Sequence, residues 1–357
     1  MKRGGENLHS SRFDDTLRKA ATIMREPDSM NEIRQKVRGA VCGICFSEDH
    51  IELYKTKSIY DNESYTIFWC PNCNNAFTSP PPSPDLLISL YSTGNYRSMD
   101  GDRFNRYVEH FVRYFSILKK HNINKYRPTT GALLDVGCGR GLFLDIMRKD
   151  GWSVTGVEFN EETARNAASK YGVKVVSVEA MTGFKDESFD VVTLYHVLEH
   201  MRDPSAVLQE CRRLLKKQGL LVIAVPMFDS LQASLGKALW FHLDVPYHLF
   251  HFTLRGLRSL LVANSLHVVN VCHFDFEQNT FGWLQTLLNI SGIKKNLLYD
   301  LLKKRELNGR QSKKTRRRDI LWTVVLLPIY VPLSVLLSIY ESIVKRGATL
   351  SVYSIKK

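Results

Sequence analysis

The chain has 357 residues, 44% of them hydrophobic, which is ample for one large domain with a small companion. Its formal net charge is +13, which by itself would raise nucleic acid as a partner, but the distribution argues against it. Between Lys294 and Asp319 eleven Lys and Arg stand against Asp300, Glu306 and Asp319, so this one segment carries +8 and the remainder is only mildly basic.

Residues 1–38 are polar, with a helical tendency around Asp14–Met24 and no apolar stretch of the secretory type at Met1–Glu6. Cys42-Gly43-Ile44-Cys45 is followed, after 24 residues, by Cys70-Pro71-Asn72-Cys73. Two C-x-x-C turns can present four thiolates tetrahedrally to Zn²⁺, with strands at Ile51–Tyr54 and Ser64–Trp69 between them. The alternatives are a redox pair or a ribbon that has lost its metal. Asn74 follows the second turn, where a residue tolerant of positive φ is wanted. Seven cysteines, four of them in these pairs, suit a reducing compartment better than a disulfide framework, so a cytoplasmic chain is expected. Ser79–Pro84 is a stiff linker, and Asp85–Tyr91 reads as a short helix. Thr93–Asp102 is polar, either a lid or a plain loop. Phe104–His121 places Tyr107, Phe111, Tyr114, Phe115 and Leu118 at helical spacing and should dock on the main domain.

At Leu133–Leu144 an apolar run ends in Asp135, then Gly137, Gly139 and Gly141 precede an apolar helical pattern. This is a buried strand, a tight turn and a helix N-terminus, with glycines that let a ligand approach the backbone. A dinucleotide fingerprint would want glycine at position 142, which is Leu142, and a Walker loop would need Gly-Lys-Ser/Thr, which is absent. Strand–helix alternation follows: strands at Ala132–Val136, Ser153–Val157, Val173–Val178, Phe189–Tyr195, Gly219–Val225 and His267–His273, with helices at Gly141–Asp150, Glu161–Tyr171, Pro204–Lys216 and Leu254–Ala263. Such alternation predicts a parallel sheet covered on both faces, with the ligand at the carboxyl ends of its strands.

The form D-x-G-x-G-x-G over Asp135–Gly141 resembles the first motif of class I S-adenosylmethionine (SAM)-dependent methyltransferases. Glu158, 17 residues past Gly141 at the end of the second strand, Asp190–His200 with Asp203-Pro204, and Leu214–Leu221 match that family's later motifs. The resemblance covers roughly 131–273. Within the family it is closest to the ubiquinone/menaquinone-type branch and to zinc-ribbon-bearing methyltransferases of surface-sugar biosynthesis. It implies an α/β fold: a doubly wound, Rossmann-like seven-stranded sheet with an N-terminal zinc ribbon and a helical C-terminal insert before the last strand. It further implies SAM as cofactor. Gly137, Gly139 and Gly141 would line its methionine part, Asp135 would order the loop, Glu158 would hold the ribose, Phe159 would flank the adenine, and Glu179, Ala180 and Met181 would close on the base. Asp135 and Glu158 could also be ordinary strand-end caps.

His196-Val197-Leu198-Glu199-His200 literally fits the zinc-protease pattern H-x-x-E-H, but it falls at a strand end, not on one helix. Methyl transfer to a hydroxyl gains from a general base, and histidine suits neutral pH. His196 is best placed, His200 second, and His248 and His251 reach the acceptor side from the segment Asp244–Thr253. Each could equally be structural. Thr253 is a natural N-cap for the following helix.

Arg346–Tyr353 resembles the family's last strand, which inserts antiparallel beside the sixth, yet more than 70 residues precede it where a hairpin is usual. They include amphipathic Phe281–Leu302, the basic run, and Ile320–Tyr340, 21 residues without a charge. That run is long enough to span a bilayer. Since both ends return to one sheet, and Pro328 and Pro332 interrupt it, a re-entrant or monotopic hairpin on the cytoplasmic face is expected. Anionic lipids would meet Lys313–Arg318; a buried helical pair or a dimer interface is the alternative. The division is therefore 1–38 polar segment, 39–80 zinc ribbon, 81–130 linker and docking helices, 131–274 SAM-binding core, 275–345 membrane-associating insert and 346–357 last strand. The expected activity is O-methylation of a membrane-associated acceptor such as a lipid-linked saccharide. A prenylated quinone precursor or a soluble sugar nucleotide comes second, and an RNA-modifying or SAM-sensing protein third.

Overall fold

The computed structural model of the chain describes residues 40–92, 106–303 and 313–357. The Asp14–Met24 helix and the Thr93–Asp102 loop expected above fall outside them.

Three strands form the N-terminal ribbon: β1 (Ile51–Lys57), β2 (Ser64–Cys70) and β3 (Asn75–Ser79), paired antiparallel in that order. The third strand was not expected from the cysteine spacing. Asn74 has φ 56°, as the turn after the second C-x-x-C requires. The main sheet comprises β4 (Ala132–Val136), β5 (Ser153–Val157), β6 (Lys174–Val176), β7 (Phe189–Tyr195), β8 (Leu215–Pro226), β10 (Leu266–Cys272) and β11 (Thr349–Lys356), in the order β10-β11-β8-β7-β4-β5-β6. Only β11 runs against the others, wedged between β8 and β10. The central strands are apolar on both faces because helices cover both: Leu133, Leu134, Val191, Val192 and Leu194 are all fully buried. The order of the strands places the reversal between β4 and β7, with the glycine turn at the carboxyl end of β4.

The ribbon is built into the core. A two-residue strand, β9 (Phe250–His251), joins its sheet beside β3. Asn75, 1% exposed, accepts the Thr253 N–H at 3.1 Å and donates to Cys73 O, while the Thr253 hydroxyl donates to Asn74 O at 2.6 Å. Thr253 also caps the Leu254–Ala263 helix by accepting the Gly256 N–H at 3.0 Å. Gly256 is glycine because a Cβ there would stand 2.1 Å from Asn75 Oδ1.

Two expectations are corrected. The helix Arg106–Tyr126 does not dock through its aromatic face, since Phe111 is 63% and Tyr114 55% exposed. It is anchored in its C-terminal half by the buried Ile123 and by Lys120 and Asn124, both 2.7 Å from the Asp150 carboxylate, and near its start through Glu109. Nor do the prolines split the apolar run into a hairpin: Lys313–Ile343 is one continuous helix of 31 residues. Pro328 and Pro332 lie four apart on its exposed side, so the missing donors fall on one face and the packed face stays unbroken. That packed face lies against the helix Phe276–Ile290.

Replacing Gly256 with alanine forces Asn75 away from Thr253 and loosens the ribbon from the core. The expected loss is about 1–3 kcal/mol of stability, read from the urea midpoint; an unchanged midpoint would show that the joint carries no strain.

Candidate active site

The turn after β4 is shaped by three left-handed glycines, Gly137 (φ 74°), Gly139 (φ 55°) and Gly141 (φ 75°). The N–H groups of Gly137 and Cys138 both donate to Val157 O, at 2.8 and 3.0 Å, which ties the turn to the end of β5. A Cβ on Gly137 would lie 2.4 Å from Val197 Cγ2, so this backbone is pressed against the turn that follows β7. Glu158, buried, accepts the Gly139 N–H at 2.8 Å and the Asn160 N–H at 3.2 Å. Asp135, also buried, accepts the Thr193 hydroxyl of β7 at 2.6 Å. One carboxylate thus fastens the glycine turn and the other fastens the two central strands. Phe159 is half-buried beside Glu158, Met181 is in the core, and in the short helical turn Glu179–Gly183 Glu179 is half-buried and Ala180 exposed.

Beyond the glycine turn opens a cavity of about 480 Å³. Its walls are Gly137–Arg140, then Tyr195 and His196 at the end of β7, then Phe241, His242, Asp244 and His248. Aromatic rings complete it: Phe111 and Phe115 from the Arg106–Tyr126 helix, Phe281, and Tyr299 from the helix Leu297–Leu302. Arg140 reaches back to grip Glu109 with both guanidinium nitrogens, at 3.0 and 3.1 Å, latching that helix over the turn.

The histidines separate into two sets. His196 and His248 line the cavity with Gly137 and Gly139, whereas His200 and His251 do not. His196 has φ 56° because the chain reverses abruptly after β7, and its N–H donates to Ala224 O at 2.8 Å. His200 is buried with Nδ1 2.9 Å from Tyr247 O, and its ring meets that of His248 edge-on at 4.7 Å. His251 sits 3.0 Å from the Thr78 hydroxyl in the seam with the ribbon, away from the cavity. Among them lies Glu199, 1% exposed, 3.4 Å from His196 Nδ1 and 4.0 Å from His248 Nε2. Burial alone would raise its carboxyl, but the contact with His196 and the pull of His200 and His248 bring it down to about 2. Glu158, Phe159, Glu179, Ala180, Met181, Asp135 and Gly141 stand outside the walls of this cavity.

Sequence reading missed His242, Tyr195, Lys119 and Arg140 as lining residues. The two next to motifs were discoverable: Tyr195 immediately precedes His196, and Arg140 lies between two of the glycines. His242 belongs to the segment before Asp244, which carries no periodic signal.

The four ribbon thiols lie together, with Cys42 Sγ 3.6 Å from Cys73 Sγ and Cys45 Sγ 3.5 Å from Cys70 Sγ. A tetrahedral zinc with bonds near 2.3 Å separates its sulfurs by about 3.8 Å, so the donor set suits that ion. A thiol hydrogen bond from Cys42 holds Cys73 below the usual thiol range, which favours its thiolate.

Residues 102–271 match a family model described as a methyltransferase domain. Ubiquinone biosynthesis O-methyltransferase of Histophilus somni is 38% identical over 104 residues, covering 26% of this chain and 44% of that protein. The protein of the same name from Nitrosomonas europaea is 31% identical over 143 residues, 35% of this chain and 61% of that one. The chain thus spans about half the length of the curated relatives it matches. Among solved structures, a SAM-dependent methyltransferase from Archaeoglobus fulgidus aligns at 21% identity with a TM-score of 0.41, covering 70% of this chain and all of that one.

Two buried histidines make the fold acid-sensitive. Burial, helped at His242 by the nearby His196 and at His251 by His248, lowers both to about 3. The native chain keeps them neutral while the unfolded chain protonates them near pH 6.5. Below that pH the unfolded state therefore binds more protons, and stability falls as pH drops from about 6.5 toward 3. Each histidine should contribute a slope of up to about 1.4 kcal/mol per pH unit, and His251→Gln should remove its share from urea midpoints measured between pH 7.5 and 5. An identical slope in the variant would disprove this origin.

Proposed function

We propose that this chain, whose residues 102–271 match a methyltransferase-domain model, is a class I SAM-dependent methyltransferase that transfers a methyl group to a hydroxyl of an acceptor drawn from a membrane, a lipid-linked saccharide first. The residues fit the cofactor: a left-handed glycine cradle that a single methyl group would block, at strand ends that also carry two buried carboxylates. Gly137 and Gly139 would hold its methionine end, with Glu158 and Phe159 on the nucleoside side. Bound there, SAM supplies an electrophilic methyl on a sulfonium. The chain's own part is to position the acceptor in the aromatic cavity, exclude water, and take the hydroxyl proton at His196 or His248. The ribbon thiols would hold a closed, structural Zn²⁺ away from this chemistry.

One observation carries the membrane reading. The helix Lys313–Ile343 has its polarity reversed relative to a helix of a water-soluble protein. Asp319, Thr323, Ser334, Ser338 and Glu341 are at most 2% exposed against the protein, while Leu321, Val324, Ile329, Leu336 and Ile343 are 59–73% exposed. Its mean hydropathy reaches 2.3 with only 11% of that stretch buried. Lys313, Lys314, Arg316, Arg317 and Arg318 crowd one end, where anionic headgroups would lie beside an apolar face immersed in the acyl region. The helix is braced by Phe276–Ile290 and meets the Leu297–Leu302 helix through Ile320 and Leu326, and these two helices also give the cavity Phe281, Tyr299 and Leu302. That shared support favours an acceptor with an apolar tail. The names of the relatives and the ring-lined wall favour a second reading, a prenylated quinone precursor.

Purified protein should float with vesicles containing phosphatidylglycerol and bind neutral phosphatidylcholine vesicles more weakly. Neutralising Arg316, Arg317 and Arg318 to glutamine should cut binding about a hundredfold, at about 1 kcal/mol per charge. Absence of flotation together with a stable dimer would make the exposed face a subunit interface and overturn the membrane reading. For the cofactor, Gly137→Ala should lower SAM affinity about tenfold or more by calorimetry, measured at a temperature where the variant is still folded, since the strained backbone and the contact with Val197 also lower its melting temperature. Unchanged affinity would remove the glycine turn from the site.

A further inference from the structure

We propose that the hollow where the helix Lys313–Ile343 turns back into the sheet binds a phosphate group, and that a phospholipid headgroup supplies it; the second half of this rests on the membrane reading of that helix. The hollow has a volume of about 380 Å³, within the range of small-ligand sites. Its walls carry Asp229, His273, Lys345 and Arg346, and it shares no lining residue with the cavity beyond the glycine turn.

Arg346 is fixed without being neutralised. Its Nε and Nη2 donate to Asp229 O at 3.2 and 3.1 Å, and Nη2 also donates to Ser234 Oγ at 3.1 Å. These acceptors are uncharged, and both hydrogens of Nη1 have no protein partner among the described residues. A guanidinium held in place with N–H groups to spare is suited to a phosphate.

Lys345 stands where a lysine is costly. The helix ends in a Schellman turn, with the Arg346 N–H donating to Glu341 O at 2.7 Å and the Lys345 N–H to Ser342 O at 3.2 Å. Glycine is usual at the left-handed place of that turn, yet Lys345 occupies it with φ 57°. Among the described residues Lys345 makes no ion pair. Its charge acts on the hollow, because burial, then Lys345 and Arg258, hold the His273 imidazole below its usual range. His273 Nδ1 is buried with no hydrogen-bond partner among the described residues. The residue is pinned through its carbonyl, which accepts Ser342 Oγ at 3.2 Å and Asn279 Nδ2 at 3.3 Å. Asp229 is the one acid among the lining residues, and burial raises its carboxyl against the pull of Arg346 and His273. Three cations, Arg258, Lys345 and Arg346, thus act on a space with one carboxylate, and the balance favours an anion.

The position of the hollow points to the source. It starts two residues past Ile343, which is 73% exposed at the end of the apolar face. Basic residues stand at both ends of that face, Lys313–Arg318 at one and Lys345-Arg346 at the other. A helix lying in the bilayer interface keeps both ends at headgroup depth, where such cations meet lipid phosphates.

The test titrates the full-length protein by calorimetry with dihexanoyl phosphatidylglycerol below its micelle concentration, and separately with inorganic phosphate. The lipid should bind about fivefold more tightly than phosphate, or better. Arg346→Gln and Lys345→Gly should each weaken both probes about fivefold or more, and Asp229→Asn should tighten both about threefold. Lys345→Gly also relieves the left-handed backbone, so its melting temperature should stay near or above the parent's, which separates lost binding from lost folding. Neutralising Arg316, Arg317 and Arg318 to glutamine should weaken flotation yet leave both affinities within about twofold, so failure of the hollow and failure of the membrane reading are told apart. No binding of either probe by the parent, or unchanged affinities in both Arg346→Gln and Lys345→Gly, would overturn the proposal. Equal affinity for the two probes would keep the phosphate site and reject the lipid as its source.

Discussion

The structure turns on a seam between the ribbon and the segment that carries His248. The Thr78 N–H donates to Leu249 O at 3.0 Å, and its hydroxyl donates to His248 O at 2.8 Å. That hydroxyl has spent its one hydrogen, so the contact from His251 Nε2 must be a donation to it, which fixes the His251 tautomer. On the far side of the same segment the Tyr60 hydroxyl donates to Asp244 at 2.6 Å, and its ring meets Tyr247 edge-on. Ribbon residues therefore hold the chain immediately around His248 from two directions. The small domain serves as a splint for a loop that carries no helix of its own between Asp244 and Phe250 and has to present a buried imidazole accurately.

The parts legible in the sequence are those whose signal is local. Apolar runs ending in Asp135 and Glu158 announced strands β4 and β5, alternate glycines announced a left-handed turn, and paired cysteines announced a four-thiol cluster. What escaped was set by pairs distant in sequence. The hold of Asn75 on Thr253, the grip of Arg140 on Glu109 and the meeting of Glu199 with His248 span 178, 31 and 49 positions, and each partner looks ordinary beside its own neighbours. The same reason explains His251: its place in the same segment as His248 suggested a shared role, yet β9 pairing turns it toward the ribbon while His248 faces the cavity. The aromatic stripe of Arg106–Tyr126 misled for a different cause. Periodicity reveals that a helix has two unlike faces, but not which one the protein covers.

The long C-terminal helix shows the same limit from the opposite side. Two prolines were read as breaks because proline removes a donor and crowds the preceding turn. Those costs fall on the exposed face, while the other face is held by contacts to the rest of the protein: Asp319 accepts the Lys294 N–H, Tyr330 pairs with Ser291, and Glu341 accepts the Ala348 N–H. Tertiary support outweighed a local rule. The polarity reversal is more informative than the length, because many buried core helices are as long and as apolar, but they do not turn serine, threonine and carboxylate inward and leucine outward.

Strand β11 occupies an interior place in the sheet, between β8 and β10, although it is the last of the seven to be synthesised. Until residue 356 leaves the ribosome, β8 and β10 have no partner on those facing edges, and their exposed ladders are open to wrong pairing. The helix Lys313–Ile343 emerges just before that strand, so its apolar face is in solution while the sheet beside it is still unclosed. The order of the chain therefore sets a sequence of events in which the most water-averse surface is presented first and the keystone arrives afterwards. A chain of this design therefore carries an exposed apolar helix face and two open sheet edges at the same stage of its folding.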